Sequence, residues 1–284
     1  MKERVTRRPL SHRLWRFLRA PILAYLLVVL LMTFLETWLV YPIPPVSRAN
    51  WNPVNLGHED IWFESEDGTR LHGWLFAHDS PQHAVLYCHG NGEQVADNAQ
   101  LMAFLRDHLD ATVFIFDYRG YGKSDGRPHE AGVVADGKAA HKWLAEREGV
   151  ATENVVLMGR SIGGGVVIAS AAENGAKALV LQNTFARMVD TAAKMYPWLP
   201  VRLVMKNRYD SIARIASYLG PVLQSHGTAD QLVPVADARV LFETIPTDRK
   251  QFIEQPGHTH NSEQPAHYYD ELRVFLDAQN SGRK

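Results

Sequence analysis

A single cysteine, Cys88, occurs in 284 residues, so an intramolecular disulfide is excluded in any compartment. Cys88 closes an apolar run that begins at Ala84 and reads as a small buried hydrophobe. A catalytic role for it rests only on its neighbour His89. No internal repeat or low-complexity tract is present, which excludes a repeat architecture. An excess of one charge is missing too: 30 basic residues stand against 31 acidic ones. Apolar residues make up 46% and charged residues 21%, ordinary for a folded chain, so global disorder is excluded. The length suits one large α/β domain with a substantial core, or at most two small domains.

The even charge balance hides an asymmetry. Seven of the 30 basic residues precede Tyr41 (Lys2, Arg4, Arg7, Arg8, Arg13, Arg16, Arg19), against Glu3 and Glu36. The remainder therefore holds 23 basic and 29 acidic residues, a net of −6. A net-acidic body argues against nucleic acid as a partner, because phosphate binding needs a basic face.

From Ala20 to Leu35 no residue is charged. A helix needs about 20 apolar residues to cross a bilayer, and 20–41 supplies them. A buried core helix does not fit so basic a leader. A cleaved signal peptide does not fit the long apolar run, which lacks a small-x-small site after it. The pattern predicts an uncleaved signal anchor, with residues 1–19 cytoplasmic and the body of the chain extracytoplasmic by the positive-inside rule. Trp15 suits one interface belt, and Trp38 and Tyr41 the other. Glu36 is expected near the far end, where its carboxylate reaches headgroup water. Residues 42–58, stiffened by Pro42, Pro44 and Pro45, read as a linker, and 59–284 as the folded domain.

Within 59–284 the pattern alternates. Two β-type runs, 61–66 and 69–77, flank the hairpin signal Asp67-Gly68. Strands are expected at 84–88, 112–116, 154–158, 178–181, 221–225 and 251–254. Helices are expected at 94–109, 130–148, 163–173, 235–244 and 263–278. Such alternation implies a mostly parallel sheet covered on both faces. The stretch 184–217 breaks the rhythm with Met188, Met195, Tyr196, Trp198 and Leu203, and reads as a lid over a pocket, with ordinary connecting helices as the alternative.

Gly159-Arg160-Ser161-Ile162-Gly163 fits G-x-S-x-G between an apolar strand and a helix. A nucleophile must project from a sharp strand-to-helix turn, and flanking glycines remove side chains that would clash there. A serine hydroxyl also needs a base, and the base an orienting acid, here in the order Ser, Asp, His. Asp230 follows the strand at 221–225; Asp210 and Asp237 sit in the lid and in a helix. His258 and His260 both follow the last strand, and spacing leaves the choice open, with His267 a weaker third. His258-x-His260 lacks the partners a metal site needs. Two backbone N–H groups should hold an oxyanion: that of Ile162, and that of Asn91 in the loop His89-Gly90-Asn91-Gly92.

These motifs, with Asp117-Tyr118-Arg119-Gly120-Tyr121-Gly122 and Asp230-Gln231-Leu232-Val233-Pro234, resemble the α/β-hydrolase superfamily from about residue 61 to the C-terminus. The similarity is to its membrane-anchored ABHD-type branch of lysophospholipase- and acyl-thioesterase-like enzymes. In that branch the histidine stands before Asn, as in Thr259-His260-Asn261, so the resemblance implies the triad Ser161, Asp230 and His260. Ser262 departs from the acid common at that position. The resemblance implies a serine hydrolase of lipid-like or small-molecule (thio)esters that needs no metal or organic cofactor. A serine peptidase or amidase of the same fold is the alternative. A non-catalytic binding module conflicts with an intact triad.

Overall fold

The computed structural model describes residues 10–280; Lys2, Arg4, Arg7 and Arg8, part of the expected cytoplasmic segment, lie outside them. The chain opens with α1 (Leu10–Val40). The hairpin β1 (Glu59–Glu64) and β2 (Arg70–Phe76) follows. Gly68, at φ +79°, supplies the turn conformation that an L side chain resists. Then come β3 (His83–Cys88), α2 (Ala99–His108), β4 (Ala111–Phe116), α3 (Glu130–Glu148), β5 (Val155–Arg160), α4 (Ile162–Asn174) and β6 (Ala178–Gln182). Three short helices occupy the lid segment: α5 (Met188–Met195), α6 (Val201–Val204) and α7 (Ser211–Ile215). β7 (Val222–Gly227), α8 (Val235–Thr244), β8 (Lys250–Gln255) and α9 (Ala266–Ala278) complete the chain.

The strands form one sheet in the order β1-β2-β4-β3-β5-β6-β7-β8. β1 and β2 pair antiparallel, as do β2 and β4, and the remaining pairs are parallel. This is an α/β-hydrolase fold, mostly parallel, with helices on both faces. The central strands are apolar without alternation because both faces are covered, and β3 and β4 are buried at every position. Leu144 of α3, Val166 of α4 and Leu241 of α8 cover one face. Met102 of α2 and Leu272 of α9 cover the other. Each such side chain contributes about 1.5–3 kcal/mol on burial.

Two helix starts differ from expectation. The segment expected to be helical from 94 begins as a 3₁₀ turn, Val95–Asn98, because Val95 N–H donates to Asp117 Oδ1 (2.9 Å). The last helix begins at Ala266, since Pro265 pushes its predecessor out of helical conformation.

The end of α1 corrects a larger expectation. Glu36 does not reach toward water: it is 9% exposed. Its Oε1 accepts from Lys206 N (2.9 Å), Asn207 N (2.8 Å) and Asn207 Nδ2 (2.8 Å). Three donors offset the desolvation that otherwise penalises a buried carboxylate. Tyr41, expected at an interface belt, is 2% exposed and belongs to the main core. Its hydroxyl donates to Asn207 Oδ1 (3.0 Å) and lies 2.9 Å from Tyr209 Oη. The segment 42–58 also lies against the domain, with Trp51 edge-on to Trp74 and Arg48 donating to Gly92 O (3.0 Å).

Candidate active site

Ser161 stands between the end of β5 and the start of α4, at φ +52° and ψ −114°. A non-glycine residue there is strained, and the neighbourhood holds it in place. Ser161 N–H donates to Gln182 O (2.8 Å), and Thr184 Oγ1 donates to Ser161 O (2.7 Å). The glycines of the turn have a steric reason. A Cβ on Gly163 would lie 2.0 Å from Cys88 O, and one on Gly159 would lie 2.4 Å from Gly163 O. The motif therefore lets β5 turn into α4 against the end of β3.

His260 Nε2 lies 3.0 Å from Ser161 Oγ, and His260 Nδ1 lies 2.7 Å from Asp230 Oδ2. Asp230 Oδ1 also accepts from Leu232 N (2.9 Å) and Val233 N (2.8 Å). His226 Nε2 donates to Val233 O (2.7 Å) and sits 3.3 Å from Asp230 Oδ2. Burial opposes ionisation of Asp230. The histidine contacts and the Val233 N–H overcome it and hold the carboxyl well below the usual carboxylate range. All three expected triad residues are thus brought together from the ends of β5, β7 and β8.

The competing residues are engaged elsewhere. His258 is held by its backbone, its carbonyl accepting from Ala229 N (2.9 Å), and its ring is not within bonding reach of Ser161 or Asp230. His267 is exposed on α9. Asp210 caps α7 by accepting from Ala213 N (3.0 Å), and Asp237 pairs with Lys194. Burial pushes the Cys88 thiol up, which removes it as a nucleophile. Among the described residues no cluster of His, Cys, Asp and Glu is arranged to hold a metal.

Asn91 and Ile162 both border the cavity above Ser161. The Asn91 side chain donates to Val40 O and accepts from Tyr121 Oη (2.8 Å), which fixes its place at the cavity edge. Ile162 is the first residue of α4, where the helix dipole favours negative charge. His89 Nδ1 lies 2.8 Å from Gly90 O and Tyr118 Oη donates to His89 O (2.8 Å), which fixes this loop. Arg119 binds Asp136 (2.7 Å) and Asp67 (2.7 Å), remote from the chemistry.

Sequence reasoning missed the residues that hold the histidine loop. Asn183 Nδ2 donates to His260 O (2.9 Å), and its Oδ1 accepts from Gly227 N (3.1 Å). Arg160, a free position in the motif, donates to His260 O (3.1 Å) and pairs with Glu93. The one available signal was a cation beside the nucleophile with no partner nearby in sequence.

The cavity measures about 370 Å³. Ser161, Ile162 and His260 line it. Met188, Met195 and Leu199 of the lid make one wall, and Val29, Met32 and Thr33 of α1 make another. The site can thus offer an activated hydroxyl, an anion-stabilising helix start and an apolar trough beside them.

A family model described as the alpha/beta hydrolase fold matches residues 83–211. The uncharacterized protein Rv2307c of Mycobacterium tuberculosis is 36% identical over 84% of this chain and 81% of its own length. The alpha/beta hydrolase domain-containing protein WAV2 of Arabidopsis thaliana is 31% identical over 82% and 83%. Among solved structures, the Pyrococcus furiosus esterase Pf2001 superposes with a TM-score of 0.67 at 20% identity, covering 83% of this chain and 98% of that one.

Proposed function

The chain belongs to the α/β-hydrolase family, and from that premise we propose that it is a membrane-tethered serine hydrolase cleaving carboxylic esters or thioesters of lipid-like substrates. The observation that carries the reading is the chain of contacts Ser161 Oγ–His260 Nε2 (3.0 Å) and His260 Nδ1–Asp230 Oδ2 (2.7 Å), with Ser161 and His260 lining an apolar cavity. His260 takes the Ser161 proton as Oγ attacks the substrate carbonyl. The backbone N–H groups of Asn91 and Ile162 stabilise the oxyanion, and Asp230 orients the imidazolium. The imidazolium returns its proton to the leaving alcohol or thiol. Water then attacks the acyl-Ser161 ester with His260 again as base, releasing the acid. No step calls for a metal or an organic cofactor.

α1 acts as the tether. Its span Phe17–Val40 is long and apolar enough to cross a membrane. The basic residues ahead of it keep the N-terminus cytoplasmic and leave the domain at 59–284, with its lid at 184–217, on the other side. The apolar walls favour an acyl chain over the peptide that a protease or amidase would bind.

Labelling with a fluorophosphonate probe tests the nucleophile: wild type reacts, and Ser161→Ala does not. Equal labelling removes Ser161 from its role. A series of p-nitrophenyl esters tests the substrate class. Turnover should rise from acetyl to medium and long chains; a preference for acetyl, or faster cleavage of peptide anilides, contradicts the lipid reading.

A further inference from the structure

The groups the reaction needs stand on three separate loops: Asn91 after β3, Ser161 after β5 and His260 after β8. β3 and β5 are neighbours in the sheet, but β8 lies three strands beyond β5, about 14 Å across the ladder. The histidine loop must therefore reach back past β7 and β6 to meet Ser161. Among the described residues no main-chain hydrogen bond joins one of these loops to another. Their relative placement falls to side chains.

Two charged side chains span the gap. Arg160 Nη1 pairs with Glu93 Oε1, and each partner has a second grip. Glu93 Oε2 accepts from Gly90 N (3.0 Å), and Arg160 Nη2 donates to His260 O (3.1 Å). The contacts run in series from the Gly90 N–H through Glu93 and Arg160 to the His260 carbonyl. Arg160 directly precedes Ser161, so the series touches all three loops. An exposed ion pair contributes little, because water competes for both charges. Here the side chains are only 21% and 20% exposed, and both border the cavity. A planar guanidinium holds two acceptors in fixed directions, and a carboxylate holds two donors, so the series transmits direction as well as distance.

At Asn91 direction is what matters. The Gly90–Asn91 peptide is planar and trans, so its C=O and N–H point in opposite directions. Gly90 O is held by His89 Nδ1 (2.8 Å) and Glu93 N (3.4 Å), which sets the direction of the Asn91 N–H. Glu93 Oε2 fixes the preceding peptide through Gly90 N. Glu93 thus grips the loop by both its main chain and its carboxylate.

We propose that Glu93 and Arg160 are positioning residues that act as one unit, keeping the Asn91 amide and His260 in register with Ser161. The proposal rests on the serine-hydrolase reading above and adds what aligns its oxyanion donor with its base. Neither side chain makes or breaks a bond; each acts through the main chain it holds.

The test uses the full-length, detergent-solubilised protein and a soluble butyrate ester, with kcat counted per site titrated by fluorophosphonate. An amide has one oxygen, so Glu93→Gln accepts from Arg160 or from Gly90 N but not from both, at unchanged size. Arg160→Lys replaces the fork by one ammonium, while Asn183 Nδ2 still donates to His260 O (2.9 Å) and keeps the loop in place. Each variant should lower kcat about tenfold or more and leave KM within about twofold, because oxyanion contacts tighten in the transition state. The Ki of an alkyl trifluoromethyl ketone should rise by the factor by which kcat/KM falls. Ser161 Oγ adds to that ketone's carbonyl carbon, the carbonyl electron pair becomes the oxyanion, and the proton passes to His260, so the adduct reads both aligned groups. The double variant should lose about as much as the worse single variant, since one broken link is enough. Three results overturn the proposal: losses that multiply in the double variant, a wild-type kcat in either single variant, or a ketone Ki that does not move. A variant that merely unfolds in part has fewer titratable sites with wild-type kcat and Ki, and so falls among these. If wild type itself fails to label at Ser161, the hydrolase reading falls and takes the proposal with it. If wild type labels and the variants match it, only the proposal falls.

Discussion

The nucleophile turn and α1 meet at one cavity but are built on opposite plans. The turn is short, buried and held by neighbours in the sheet: Cys88, Gln182 and Thr184 close on residues 159–164. α1 is long, exposed along one side, and held by groups about 170 positions away. The turn stores strain at one residue, Ser161. α1 stores none and instead buries one carboxylate, whose second oxygen, Oε2, has no partner among the described residues. Chemistry needs atoms fixed to a fraction of an ångström, which a rigid sheet supplies. A substrate path needs an apolar wall of the right length, which a helix supplies.

Variants sharpen this contrast, beginning with the turn. Ser161→Ala and His260→Ala should each cut ester turnover by roughly 10⁴-fold or more, with His258→Ala close to wild type. An inactive His258→Ala beside an active His260→Ala exchanges the two assignments. Asp230→Asn should lose about 10³–10⁴-fold, because the imidazole then lacks the acceptor that fixes its tautomer.

The same aspartate governs acid stability. Its folded-state pKa is depressed, so its contribution is fully present above the unfolded value of about 4 and is lost as pH falls from there toward the folded value. Chemical unfolding measured from pH 6 to pH 3 should show wild type losing stability below about pH 4, with a flatter acid limb for Asp230→Asn. Matching limbs would mean that Asp230 is not held ionised by its partners.

Effects at α1 should appear in stability before catalysis. Glu36→Ala leaves Lys206 N, Asn207 N and Asn207 Nδ2 without their acceptor and should cost about 2–4 kcal/mol in detergent-solubilised protein. Tyr41→Phe removes only the hydroxyl contacts with Asn207 and Tyr209 and should cost about 1 kcal/mol. If both variants unfold like wild type, α1 is a passive tether and the contrast between the two regions disappears.

The contrast also explains what could be read in advance. The G-x-S-x-G turn, the order of Asp230 and His260, and the alternation of strands and helices all follow from short-range rules. Glycine is needed where a Cβ would strike Cys88 O, and apolar runs where both sheet faces are covered. The choice of His260 over His258 rested on resemblance, and the geometry gives the reason: the turn at 259–262, closed by Thr259 and Ser262, aims His260 inward. Ser262, where the resemblance led to the expectation of an acid, thus has a structural task in that turn.

The position of Glu36 was not legible. Its partners lie in the lid, and an acidic residue in an apolar run reads the same whether it faces headgroups or a backbone. Asn183 and Arg160 were missed for a similar reason, since both act on the carbonyl of His260 across the sheet. A catalytic fragment beginning near Arg48, natural from the sequence, would also remove Tyr41 from the core and one wall of the cavity.

The central claim is that Ser161 is the nucleophile of this cavity. Its most direct test is mass spectrometry of tryptic peptides after reaction of the full-length protein with a fluorophosphonate. Cleavage after Arg160 and Lys177 releases the peptide 161–177, which holds Ser161 and Ser170. The account predicts a single adduct on Ser161, absent from the His260→Ala variant. An adduct on another residue, or an unmodified Ser161 in an enzyme that still turns over esters, would contradict it.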